Sequence, residues 1–398
     1  MAVTVGVPRE TFPGERRVAL TPRACEDLKK IGASVIVEQS AGENAGYLDE
    51  HYAARGAEVA DRDDVFASAK ILVQVRSLGA NPDEGRSDLA RFQPGQTLIG
   101  FGEPLTATRE CADIAAAGVS LFAMEMVPRI TRAQSMDALS SMATIAGYEA
   151  VLLAAITLPK IFPMLMTAAG TLTPAKVFVL GAGVAGLQAI ATARRLGAVV
   201  QAYDVRAAVK EQIESLGAKF VIIDAGPAEG QGGYAKAMDE AFYRRQRELM
   251  KETLREQDVV ITTAAVPGRK APLLVTAEMV EAMAPGSVLI DMAAERGGNC
   301  ELTRPGETVV YHGVSIVGPL NLASRAPAHA SQMYASNIVA LLKLLVKNGA
   351  LSLNLEDEVI RETLVTHDGR IAHPKVREAA GEPVEEGSPV TADLASNR

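Results

Sequence analysis

The sequence contains no tryptophan, and aromatic residues make up only 4% of its 398 positions. A core without large rings must be filled by Ala, Val, Ile and Leu, which suits helices packed closely on a parallel sheet. Cysteine is scarce: Cys25, Cys111 and Cys300 lie far apart, without CxxC spacing. That argues against a disulfide framework or a thiolate metal site and fits a reduced, cytosolic compartment. The five histidines (His51, His312, His329, His367 and His373) form no i,i+4 pair, so no metal is expected. Positive charge is not in excess. The net charge of −8 speaks against nucleic acid as a partner. The start, MAVTVGVPRE, has no basic segment followed by an apolar one, so no signal peptide is expected. The runs Val151–Met166 and Met333–Val346 are interrupted by proline or lysine and fall short of the ~20 clean residues of a membrane span. No nucleophile elbow, Ser/His/Asp arrangement or Walker loop appears.

What is present centres on Lys176–Asp204, KVFVLGAGVAGLQAIATARRLGAVVQAYD. The apolar run Val177–Leu180 precedes a G-x-G-x-x-G turn at Gly181, Gly183 and Gly186. An apolar-periodic helix follows (Leu187, Ile190, Ala191, Leu196), then a second strand ending at Asp204. A glycine turn between strand and helix, with a carboxylate about 20 residues on, is the dinucleotide-binding arrangement. Gly181 permits the tight turn, Gly183 lets backbone approach a pyrophosphate, and Gly186 lets helix pack on strand. The residues between, Ala182, Val184 and Ala185, bring free N–H groups at the helix start toward the phosphates. Asp204 can accept from ribose hydroxyls, and its charge opposes a 2′-phosphate. NAD(H) is therefore expected over NADP(H).

Length admits two or three domains. Strands are read at 2–8, 33–39, 71–75, 97–101 and 119–125, alternating with helices such as the one capped by Thr21 with Pro22 at its first position. This is a parallel α/β domain without a glycine fingerprint. The polar stretch 127–141 leads into a long helical pattern, 143–162, and a hairpin at 163–175. A second α/β domain contains the fingerprint, a Gly-rich loop around Tyr234 and strands near 219–223, 258–264, 287–293, 307–312 and 314–318. Another long helix is read near 322–346, irregular strands over 351–374, and a polar tail over 376–398, disordered or a tether. Two Rossmann-like domains with parallel sheets separated by a cleft, joined by long linking helices, are expected. The first covers 1–138 with a return of 322–375, the second 139–321. Met124, Met126, Met136, Met142, Met164 and Met166 read as core gap fillers.

Ligands of such sheets lie at the carboxyl ends of strands. Three loops qualify: 129–141, 262–272 (including Ala264) and 291–300. Arg129 and Arg132 can meet phosphate or carboxamide oxygens, and Gln134 can bond a carboxamide. Asp137 and Ser140 can orient a ribose or cap the following helix, the two readings standing about even. Glu295 admits an acid–base role, structural hydrogen bonding being the commoner use. No proton acceptor is evident. Alcohol or amine oxidation by NAD releases a proton and calls for a base; moving a hydride between two nicotinamides does not.

These residues, with GVPRETFPGERRVALTP, PRITRAQSMDALSS, FPMLMTAAGT, GGYAK, AAVPGRKAP, GSVLIDMAAERGGNCELT and SRAPAHAS, closely resemble the NAD(H)-binding component (domain I, the alpha subunit) of proton-translocating nicotinamide nucleotide transhydrogenase. The resemblance covers about residues 1–375. It implies that Arg129, Gln134, Asp137 and Ser140 hold the nicotinamide and its ribose, with Gln134 aligning the two rings. It implies that Asp204 binds the adenosine ribose, that Tyr234 closes over the nucleotide, and that the hairpin near 163–175 joins a homodimer. It further implies NADP(H) on a partner subunit, a membrane-spanning partner that conducts protons, and a peripheral position on the inner face of the cytoplasmic membrane. The polar tail falls where fused members continue into membrane helices, so the separate-subunit arrangement is expected. Alanine dehydrogenase is similar in RVALTP (Arg17) and GSVLIDMA. Its pattern carries His where this chain has Glu103, Lys where it has Arg76, and Asp where it has Glu295. Amino acid oxidation is accordingly not expected; a non-enzymatic NAD-sensing module is the other alternative.

Overall fold

Runs of Val, Ile and Leu bounded by turns set the strands, and the computed structural model, which describes residues 2–222, 240–265 and 268–382, arranges them in two units. One comprises residues 1–142 and 324–398, the other 143–323.

The first unit begins β1 (Thr4–Val7), α1 (Pro22–Lys30), β2 (Ser34–Glu38), α2 (Asp49–Ala53), β3 (Glu58–Ala60), α3 (Arg62–Ser68), β4 (Ile71–Arg76), β5 (Thr97–Phe101), α4 (Thr108–Ala116) and β6 (Ser120–Ala123). Thr21 caps α1 through Oγ1 to the N–H of Ala24, and Pro22 stands in the first turn, as the sequence predicts. The helix α5 (Ala138–Thr157) then carries the chain into the second unit. There follow β7 (Leu165–Thr167), β8 (Gly170–Leu172), β9 (Lys176–Leu180), α6 (Val184–Arg195), β10 (Val199–Tyr203), α7 (Lys210–Ser215), β11 (Lys219–Phe220), α8 (Glu240–Arg255), β12 (Val259–Thr262), α9 (Ala277–Glu281), β13 (Val288–Asp291), β14 (Thr308–Tyr311) and β15 (Val314–Val317). The return to the first unit is α10 (Pro327–Leu345), β16 (Val346–Lys347), β17 (Ala350–Leu351), α11 (Glu358–Thr363), β18 (Leu364–His367), β19 (Arg370–Ile371) and α12 (Pro374–Ala379).

The first sheet runs β19-β18-β6-β5-β4-β1-β2-β3, parallel across β1–β6 with β18 and β19 antiparallel at one edge. The second runs β11-β10-β9-β12-β13-β15-β14, parallel except for the β14 edge. Both are doubly wound: the chain builds outward from a first strand, then reverses, leaving a switch point between β1 and β4 and between β9 and β12. Strand β9 shows why the pattern is continuously apolar. Val177 and Val179 pack among Val151, Ala189, Ile190 and Ile261 on one face, while Phe178 and Leu180 pack with Met250, Val260 and Leu289 on the other.

Four sequence-level expectations are corrected. Residues 358–363 form a helix, because Asp357 caps it through the N–H groups of Val359 and Ile360. The folded chain continues past residue 375, since α12 buries Val376 in the core; residues 383–398 lie outside the described set. Met164 and Met166 are 56% and 74% exposed on the β7–β8 hairpin, unlike the buried Met124, Met136 and Met142. Finally, α5 is long and apolar enough to cross a membrane by length and composition, the apolar stretch beginning earlier than the run counted from Val151. Here Ala150, Val151 and Ala154 of that helix are core residues of the second unit, and Glu149 is buried.

The carboxyl end of the first sheet is closed by ionic groups. Glu10 accepts from the N–H groups of Val75 (2.6 Å) and Arg76 (3.1 Å). Glu15 takes a bidentate pair from Arg17 (2.7 and 2.6 Å) and a contact from Arg76 at 3.3 Å. Burial, then the Glu15 charge, raise Glu10 to about 8; burial opposes Glu15, but Arg17 and Arg76 hold it at about 2. The native state thus binds the Glu10 proton more tightly than the unfolded chain. Stability from Glu10 is present below its ordinary value of 4.5 and lost as pH rises through about 8. The urea midpoint of the first unit is expected to fall between about pH 5 and pH 9, and Glu10→Gln to flatten that slope. A wild-type midpoint that is level over this range contradicts the assignment.

Candidate functional site

The glycine turn sits at the switch point of the second sheet. Gly181 has φ +98° and its N–H donates to Tyr203 O at 2.9 Å. A Cβ on Gly186 would stand 1.9 Å from Gly181 O, so α6 can pack on β9 only with glycine there. A Cβ on Gly183 would meet nothing within 4 Å. Gly183 is the N-cap of α6 and supplies no capping side chain, leaving the helix N-terminus to whatever occupies the open side. Val184 is exposed, while the Ala185 carbonyl lies against Gly147 of α5, where a Cβ would come within 2.2 Å.

Asp204 ends β10 with a buried carboxylate. Its Oδ2 accepts from Ala182 N–H (2.7 Å) and Arg206 Nη2 (2.9 Å), and its Oδ1 from Arg206 N–H (2.8 Å) and Nε (2.9 Å). Four donors use the lone-pair positions of the carboxylate. One of them ties the glycine turn to the second strand. The Arg206 side chain is a partner of Asp204 that the sequence pattern does not reveal.

The adjacent strand completes the turn. Thr263 donates its N–H to Leu180 O (2.8 Å) and its hydroxyl to Gly181 O (3.0 Å). Ala264 is clamped at both polar atoms by Asn299, whose Oδ1 accepts from Ala264 N (3.1 Å) and whose Nδ2 donates to Ala264 O (2.9 Å). Asn299 is in turn fixed by Asp291, which is fully buried and accepts from Thr262, Ala293, Asn299, Cys300 and Thr303. Asp291 is thereby a structural pin. Glu295 accepts from Asn321 N–H at 2.5 Å, a structural contact as well. Thr263 and Asn299 fall in two of the loops expected to line the ligand side, 262–272 and 291–300, but the sequence does not single out either residue within them.

In the first unit, the loop after β6 forms a 3-10 turn over Thr131–Met136. It buries Ala133 and Met136 and exposes Arg132, Gln134 and Ser135. Arg132 makes a bidentate pair with Asp357 (3.0 and 2.8 Å), so it serves the loop's anchorage. Asp137 Oδ1 accepts from Ser140 N–H (2.9 Å) and Oδ2 from Ser140 Oγ (2.6 Å). This is the capping alternative for that pair. Arg129 is exposed at the start of the loop. At the end of β5, the N–H groups of Gly102 and Glu103 donate to Glu125 Oε1 at 2.8 and 2.5 Å. Burial, and then Glu103, raise Glu125 to about 7. Tyr234 lies outside the described residues.

A glycine turn at a switch point, with a carboxylate ending the next strand, defines a doubly wound dinucleotide-binding protein. The chain belongs to the alanine dehydrogenase/PNT family: the pattern for "Alanine dehydrogenase/PNT, N-terminal domain" matches residues 6–146, and that for the C-terminal domain matches residues 150–374. It is 47% identical to the first part of NAD(P) transhydrogenase subunit alpha of Rhodospirillum rubrum, over 93% of this chain and 98% of the relative. The crystal structure of transhydrogenase from Sinorhizobium meliloti matches with a TM-score of 0.83 at 45% identity, covering 92% of this chain and 99% of that one. Identity to alanine dehydrogenase of Mycolicibacterium smegmatis is 30%, over 92% and 94% of the two chains.

The glycine contacts separate two roles. Gly183→Ala is expected to melt with the wild type but to bind NADH less tightly. Gly186→Ala is expected to lower the melting temperature by about 5 °C or more, because backbone must shift. Differential scanning fluorimetry with and without NADH checks both. Equal loss of stability in the two variants contradicts the assignment.

Proposed function

We propose that this chain is the NAD(H)-binding component of an NAD(P) transhydrogenase and exchanges a hydride directly with NADP(H) bound on a partner subunit. The observation that carries the reading is the character of the loop at 131–136. It presents an uncharged amide, Gln134, and its neighbouring carboxylate, Asp137, is engaged by Ser140. Such a loop aligns rings and accepts no proton, which suits transfer between two nicotinamides. The 47% identity to a transhydrogenase subunit over nearly the whole of both chains supports it.

In this reading Gly181, Ala182, Gly183, Val184, Ala185 and Gly186 hold the pyrophosphate on the N-terminus of α6. Asp204, released by Arg206, takes the adenosine ribose, and Ala264 borders the nucleotide. Arg129, Gln134, Asp137 and Ser140 serve the nicotinamide ribose and ring, Asp137 and Ser140 exchanging their mutual bonds for ribose hydroxyls. Tyr234 closes over the bound nucleotide. Bound NAD(H) supplies the hydride; this chain's residues bind it, orient it and keep its ring facing the partner's.

Partners follow from the same reading. A membrane-spanning subunit couples transfer to proton movement, and the chain is peripheral on the inner face of the cytoplasmic membrane. A homodimer forms through the β7–β8 hairpin. Two-stranded hairpins are marginal alone, and this one exposes Met164, Leu165, Met166 and Leu172.

Reconstitution with the NADP-binding subunit tests the reading. NADH is expected to reduce an NADP⁺ analogue, and L-alanine with NAD⁺ to yield no NADH. Gln134→Asn is expected to slow transfer about tenfold while leaving NADH affinity within about twofold. Turnover of L-alanine, or unchanged transfer in Gln134→Asn, contradicts the proposal.

A further inference from the structure

Helix α10 carries three polar side chains that bind backbone from three separate segments of the first unit. Ser331 Oγ accepts from Val18 N–H (2.9 Å), Tyr334 donates its hydroxyl to Gln74 O at the end of β4 (2.8 Å), and Asn337 Nδ2 donates to Ser135 O (2.8 Å). Asn337 is only 6% exposed, and its Oδ1 is enclosed without a partner among the described residues. A buried acceptor without a partner is destabilising. Leucine would fill a similar space without that acceptor, so packing alone does not account for an amide here. What the amide does is hold the carbonyl of the residue that follows Gln134.

The loop is held at two other places. Arg132 is locked on Asp357, and Asp137 N–H returns to Gln134 O at 3.2 Å. Asn337 adds a third hold, on the Ser135 carbonyl that lies between them. We propose that Asn337 is a positioning residue for hydride transfer: by fixing the Ser135 carbonyl from α10, it sets the direction in which the Gln134 amide points. The inference rests on the role given to Gln134 above. Reacting rings need orientation as well as proximity, and a misplacement of about 1 Å costs up to 10²-fold in rate. Nucleotide binding, carried mainly by the glycine turn and Asp204, does not depend on this contact.

The test uses the full chain reconstituted with its NADP-binding and membrane partners. Asn337→Leu is expected to slow single-turnover hydride transfer about tenfold or more, with the Kd for NADH within about twofold of wild type. Asn337→Asp donates to Ser135 O only when protonated, and burial raises its pKa. Its transfer rate is expected to recover as pH falls toward about 5, a recovery that Asn337→Leu does not show and that a packing role would not produce. Wild-type transfer in Asn337→Leu, or an Asn337→Asp profile parallel to wild type, overturns the inference while leaving the function intact. Absence of transfer in wild type overturns the functional reading and the inference together. Should Asn337→Leu fail to fold by circular dichroism, the pH profile of Asn337→Asp decides alone.

Discussion

The second unit depends on one close approach, the seat of α6 against the first turn after β9. Only a hydrogen at Gly186 leaves room for Gly181 O, and that same oxygen accepts the Thr263 hydroxyl from the next strand of the sheet. The approach brings the N-terminus of α6 to the carboxyl ends of β9 and β12. Its other side is tied to β10 through Ala182 and Asp204. Strand, turn, helix and both neighbouring strands are therefore fixed by a few backbone contacts, and the open side at Gly183 is what remains for a ligand.

The first unit has the same winding and a different filling. Where the second sheet leaves a glycine turn at its switch point, the first puts Glu10 across β4 and gathers Glu15, Arg17 and Arg76 beside it. Glu15, Arg17 and Arg76 pair with one another, which lets these charges stay buried, while Glu10 is bound to backbone N–H groups and held toward its neutral form. The unit's exposed chemistry is carried on the loop after β6, which α10, Asp357 and the Asp137–Ser140 cap hold from three sides. One winding thus appears twice, once open for a ligand and once as the support of a loop.

The strands were legible because parallel strands buried on both faces read as unbroken apolar runs, as Val177–Leu180 do. The glycine turn was legible because its steric demands are local. Less legible were features set by partners distant in sequence. Arg206 holds Asp204, and Asn299, within a loop that the strand ends single out, holds Ala264; neither bond is announced by the local sequence. Arg132 has the character of a phosphate ligand, and only the fold puts Asp357 beside it. The helix at 358–363 is hidden because its cap, Asp357, stands in a run whose alternation resembles a strand. Met164 and Met166 read as core from composition, and the hairpin turns them out. Asn337 lies in a helix of mixed character and gains meaning only from Ser135.

The central claim is that this chain passes a hydride directly between nicotinamides without a proton acceptor. The most direct measurement follows deuterium from the transferable C4 position of NADH, using the chain reconstituted with its NADP-binding partner. The account predicts that the label arrives on C4 of the NADP product at full enrichment, with none gained from or lost to solvent. Label washed into water, or reduction of NADP⁺ without label transfer, would contradict it.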